Sequence, residues 1–194
     1  MDDEQTFRTW LDEHGILVPG IEPEVPSPYL VFAQRSDARL DVGALRQQAA
    51  RFFNAKLGLT VEKKYQGSVA RDAVRIVLAT DDPSTSGTRL CFGRPVAPEE
   101  HDQAEEAERV SKATGMGLLA QRCKTVWLIA RGTSAPPSHS SAADVNAVAE
   151  DRVALLLAAV FASVLLGPIL DRDEIFGVRT ARLKLERPAA TPYR

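Results

Sequence analysis

The sequence predicts an α+β fold, a mixed β-sheet of about five strands covered by helices. Three observations carry this. Short apolar runs at Tyr29–Gln34, Ala73–Thr80 and Lys124–Ala130 have strand lengths. Stretches with helical apolar spacing alternate with them, giving the order β-α-β-β-β-α-β from Tyr29 to Ala130. A run without charge, Val153 to Leu170, then demands cover on every side, as a long apolar C-terminal helix.

The elements follow in order. Asp2 or Asp3 caps a first helix, EQTFRTWLDEH, with Phe7, Trp10 and Leu11 on one face and Gly15 as its stop. Four prolines make ILVPGIEPEVPSP an extended connector. After the strand Tyr29–Gln34, Asp41 caps the clearest helix, DVGALRQQAARFFNAKLG. Its stripe is Val42, Leu45, Ala49, Phe52 and Phe53, and Gly58 ends it. LTVEKKYQ alternates as a strand, with Leu59, Val61 and Tyr65 on one face and Thr60, Glu62 and Lys64 on the other.

AVRIVLAT is a stronger strand, DDPSTSG a turn, and TRLCFGRPV a strand kept short by Gly93 and Pro95. Pro98 opens an acidic helix whose Glu99, Glu100 and Asp102 complement the positive end of its dipole. TGMG interrupts that helix, and LLAQR leads to the strand KTVWLIA. RGTSAPPSHSSAA is a flexible loop, and a helix from Ser140 or Ser141 runs to about Leu166. IFGVRTARLKLE forms a last strand, and RPAATPYR is a disordered tail. The expected divisions are 1–28, an N-terminal helix and connector; 29–131, the α+β core; 132–143, the loop; 144–186, a helix and strand packed on the core; and 187–194, the tail.

Gly167 and Pro168 end the apolar helix, leaving fourteen uncharged residues, Val153 to Leu166. At about 1.5 Å each they reach roughly 21 Å, short of a hydrocarbon layer of about 30 Å. A membrane span is therefore not expected. Net charge is −2, with no basic patch that would favour nucleic acid. The N-terminus lacks a secretory pattern, and two cysteines, Cys91 and Cys123, are too few for a disulfide framework. A cytoplasmic protein is expected. His14, His101 and His139 have no metal-ligand spacing, no G-x-S-x-G occurs, and no cofactor is expected.

The element order fits two architectures. One is a ferredoxin-like sandwich with an additional strand. The other is an α-β-β-β-α-β core to which Tyr29–Gln34 is an addition. VEKK places Glu62 and Lys64 two apart on a strand, and with that second order the chain resembles PD-(D/E)xK nucleases. The resemblance covers about a hundred residues by element order and two by motif. It implies a metal-dependent nuclease in which carboxylates hold a divalent ion and Lys64 positions water. The sequence departs from that pattern, because no Asp precedes Glu62 on an earlier strand of the meander.

KATGMGLL offers backbone N–H groups at a helix start, able to hold an anion. Cys123, between Arg122 and Lys124, is the better candidate for a reactive thiol, although a buried thiol is expected. The preferred function is a non-catalytic protein-interaction or assembly subunit. It acts as a homodimer or with a protein partner, through Leu155, Leu156, Val160, Phe161, Val164 and Leu165. A nuclease using Glu62 and Lys64, or a small-ligand sensor, are the alternatives.

Overall fold

The computed structural model describes residues 28–34, 40–62, 72–82, 85–130 and 152–186. The expected first helix, the loop 132–143, the start of the apolar helix and the tail all fall outside these residues, as do Lys64, His14 and His139. What is described is α+β, built on one antiparallel sheet.

The strands are β1 (Tyr29–Ala33), β2 (Lys56–Glu62), β3 (Asp72–Ala79), β4 (Gly87–Pro95), β5 (Thr125–Ile129), β6 (Ile169–Asp171) and β7 (Glu174–Phe176). Their order across the sheet is β2-β3-β4-β5-β1-β6-β7, and each pairing is antiparallel. This corrects the expected mixed sheet of about five strands. β1 sits inside the sheet, between β5 and β6, so it is an integral strand rather than an addition to the core, and the seven-strand order is not the ferredoxin-like one. Its residues are buried on both faces, which needs helices on both sides.

Alternation along the strands sorts the core into two halves. Tyr29, Val31, Ala33, Trp127, Ile129 and Ile169 face a layer formed by α1 (Val42–Phe53), α4 (Arg152–Leu165) and α5 (Val178–Glu186). Leu30, Phe32, Val126, Leu170 and Ile175 face α2 (Pro98–Ser111) and α3 (Met116–Gln121). The result is three layers, helix on sheet on helix.

Helix α1 begins as expected, with the Asp41 carboxylate accepting the Ala44 N–H at 2.9 Å. It ends five residues before Gly58, at Phe53. Asn54, not Gly58, closes the helix, in the left-handed conformation (φ 47°). The chain is then free to start β2 at Lys56, where it pairs with Ala79. β4 runs through Gly93 and ends at Pro95. Gly93 is required for another reason: a Cβ there would lie 2.7 Å from the Trp127 ring, which crosses it.

The apolar helix α4 spans fourteen residues, and no described helix is long and apolar enough to cross a membrane. The sheet, α1 and α5 cover it. Trp127 meets Phe161 with ring centroids 5.4 Å apart. Arg152, at its start, donates to the Leu185 carbonyl of α5.

Leu166 ends α4 in a left-handed conformation (φ 58°). Gly167 then presses on the β1 backbone, where a Cβ would sit 1.7 Å from the Phe32 carbonyl oxygen. Pro168 accepts the Phe32 N–H at 3.0 Å and leads into the β6–β7 hairpin, which the sequence reading missed. The stretch expected as a last strand is mostly α5. Val178, Ala181 and Leu185 recur at helical spacing and pack into the core.

Candidate functional site

The structure separates the sequence candidates. Glu62 ends the edge strand β2, opposite Ala73 of β3, and its proposed companion Lys64 lies outside the described residues. The described residues hold no group of three or more His, Cys, Asp or Glu able to bind a metal.

The anion-binding loop exists, and the chain supplies its own anion. The Glu108 carboxylate, on α2, accepts the N–H groups of Gly115, Gly117 (2.6 Å) and Leu118 (3.3 Å) at the start of α3. The Gly115 amide does most to hold its carboxyl below the usual 4.5, helped by those of Gly117 and Leu118. TGMG is thus a capped junction between two helices.

Glu100 plays a similar part at the start of α2. It accepts the Ala97 N–H at 2.8 Å and binds Arg94 through both oxygens, at 2.6 and 2.8 Å. His101, on α2, is partly buried. Its Nε2 lies 3.2 Å from the Cys123 carbonyl oxygen, and its ring stacks on Phe32. Both thiols are buried. Burial pushes Cys123 up to about 11 and Cys91 further, against a weaker lowering pull from Arg89. Arg122 and Lys124 do not activate Cys123.

The six residues expected at an interface, Leu155, Leu156, Val160, Phe161, Val164 and Leu165, are at most 7% exposed within the single chain. The apolar face that the sequence left open is closed within the single chain by α1 and α5. The expected exposure assumed that only the sheet packs against this helix. As a helix, the segment 178–186 is part of the missing cover.

Apolar surface is exposed elsewhere. Phe52 from α1, Leu166 from the end of α4 and Leu183 from α5 are 40%, 55% and 52% exposed, and they converge on one groove of about 640 Å³. Ala162, Ser163, Gly167 and Val178 also line it, with Gln48, Arg179, Arg182 and Glu186. Ser163 donates to the Val160 carbonyl at 2.7 Å, so its hydroxyl is already engaged by its own helix. Arg179 and Arg182 are exposed and make no ion pair among the described residues.

Leu166 is the informative member. A left-handed backbone costs a leucine about 1–2 kcal/mol that glycine would avoid, yet the side chain is more than half in water. Neither local geometry nor core packing accounts for a leucine here.

One signal for the groove was present in the sequence. Phe52 and Phe53 are adjacent, and on a helix adjacent residues point about 100° apart, so both cannot face one core. Phe53 packs inward and Phe52 lines the groove. Leu183 gave no such signal while its segment was read as a strand.

A second depression, of about 420 Å³, lies between the end of α2 and the β6–β7 turn, lined by Val110, Ser111 and residues 171–174. It is shallower in apolar character, and Glu174 at its edge is engaged by Lys184 at 2.6 Å. No protein-family model, curated protein or solved structure matches the chain.

Proposed function

We propose that this chain is a protein-interaction module whose contact surface is the groove between α1, the end of α4 and α5. Its ligand is one amphipathic peptide segment with apolar anchors and acidic flanks. The supporting observation is the convergence of Phe52, Leu166 and Leu183 beside two arginines without ion-pair partners among the described residues. Apolar anchors entering a groove between helices, with charge at the rim, is a recurrent mode of peptide recognition. Size decides between a segment and a whole subunit. Three half-exposed side chains offer on the order of 300 Å², well below the roughly 800 Å² per partner of a stable protein–protein interface.

Selection of random-sequence peptides against the full chain tests this. The selected peptides should carry apolar residues at helical spacing and acidic neighbours. Leu183→Asp should abolish their binding. Leu118→Asp, at an equally exposed leucine on the opposite helical layer, should leave it unchanged. Peptides indifferent to Leu183→Asp would reject the groove as the contact surface.

A further inference from the structure

We infer that the groove's resident occupant is the chain's own N-terminal segment, residues 2–14, docked within the same molecule. This rests on reading the groove as a docking surface and adds what docks there.

Chemistry supports the match. DDEQTFRTWLDEH carries Phe7, Trp10 and Leu11 at spacings of three and four, which places them on one face of a helix. Three apolar anchors thus stand against three exposed apolar side chains, Phe52, Leu166 and Leu183. The flanks of the segment hold Asp2, Asp3, Glu4, Asp12 and Glu13 against a single basic residue, Arg8. The groove offers the opposite sign, Arg179 and Arg182 against Glu186. Arg51, whose guanidinium lies 5.2 Å from the Phe52 ring, adds a third cation beside it. Acidic flanks on an apolar helix are the pattern that a basic rim selects.

Length permits it. The groove lies where the chain leaves β1, because the Gln34 N–H donates to the Leu165 carbonyl at 3.1 Å next to Leu166. The N-terminal segment enters at the opposite end of β1, a five-residue strand of roughly 17 Å. Residues 15–27 lie between the segment and Pro28. At about 3.1 Å per residue in an extended, proline-rich conformation they span roughly 40 Å. The connector therefore reaches past the strand to the groove without a second copy. Tethering also favours the intramolecular contact, since a short linker holds the segment at millimolar effective concentration. A partner that uses the groove must displace this segment, so docking sets a threshold for partner binding.

Tryptophan emission in the full chain tests the inference. The protein has two tryptophans, Trp10 and the buried Trp127. The Trp10→Phe chain gives the Trp127 signal alone, and the difference reports Trp10. Quenching by acrylamide should find Trp10 shielded in a particle of one chain mass by light scattering. Leu183→Asp should raise the Trp10 quenching constant several-fold and leave Trp127 unchanged.

Trp10 freely quenched in the unaltered chain would overturn the inference. So would shielding that survives Leu183→Asp, or shielding seen only in a particle of twice the mass, which would mean docking onto a second copy. The groove reading is scored separately, by selected peptides on a chain with Phe7, Trp10 and Leu11 all changed to Ser. Binding there with Trp10 unshielded in the parent keeps the groove and discards the self-docking. No binding there discards both.

Discussion

Gly167→Ala is the substitution whose cost the structure fixes most directly. A Cβ at this position would lie 1.7 Å from the Phe32 carbonyl oxygen and 2.5 Å from its carbon, both backbone atoms that no rotamer change can move. Ordinary contact begins near 3.4 Å, so β1 and the β6 approach must part by well over an ångström. Two hydrogen bonds span that junction, Phe32 N–H to Pro168 and Gln34 N–H to Leu165, at 3.0 and 3.1 Å. Behind it, Ile169 and Leu170 are buried, and the β6–β7 hairpin depends on their position.

Losing about 1 kcal/mol for each hydrogen bond and about as much for each partly re-exposed side chain gives roughly 4 kcal/mol. Against a total stability of about 5–15 kcal/mol, that removes between about a quarter and four fifths of it. Urea denaturation followed by circular dichroism measures it. Gly115→Ala is the control, because Gly115 has a left-handed backbone (φ 86°) but open space around it. Its expected cost is the backbone term alone, about 1–2 kcal/mol. A Gly167→Ala chain within about 1 kcal/mol of the parent would refute the close approach and the placement of β6 beside β1.

Three further predictions follow from other parts of the fold. The Glu108 carboxyl is held below 4.5 by folding, so its contribution is complete above that pH and fades as the pH falls through its lower native value. The stability difference between parent and Glu108→Gln should be largest near neutrality and shrink below pH 4.5; a difference independent of pH would contradict this. Neither Cys91 nor Cys123 should react with a disulfide reagent at neutral pH until denaturant is added, because burial raises both thiols, Cys123 to about 11. A fast-reacting thiol in the folded chain would show one to be exposed. Leu166→Asn should relieve the left-handed strain and lose part of a leucine's burial, leaving stability within about 1 kcal/mol of the parent while peptide binding falls. A loss near 3 kcal/mol would instead mark Leu166 as core.

Strand and helix identities were legible where the local apolar pattern and its bounding residues are strong. The Asp41 cap, α2 after Pro98 and the strand around Trp127 were read from local pattern. Pairing was not, because antiparallel and parallel partners present similar apolar runs when both faces of a strand are covered, as in β1. β6 and β7, three residues each, carry too short a pattern to register as strands. The main error concerned 178–186. Charged residues alternate with leucine in RLKLE, as in a strand, while Val178, Ala181 and Leu185 fit a helix. With only the sheet assumed against α4, an apparent self-association surface remained at Leu155–Leu165. The candidate groove was hidden because it needs α5 as a wall and a left-handed Leu166 at its floor. The Glu108 cap joins residues seven to ten apart through the loop geometry, which composition does not encode.

The central claim is that the groove between α1, α4 and α5 is the docking surface. Amide chemical shifts of the isotopically labelled full chain, titrated with a selected peptide, test it most directly. The largest changes should fall at Phe52, Ser163, Leu166, Val178 and Leu183, with Val110 and Leu118 across the sheet undisturbed. Changes centred on Val110 and Leu118, or a bound peptide that leaves the groove amides in place, would contradict it.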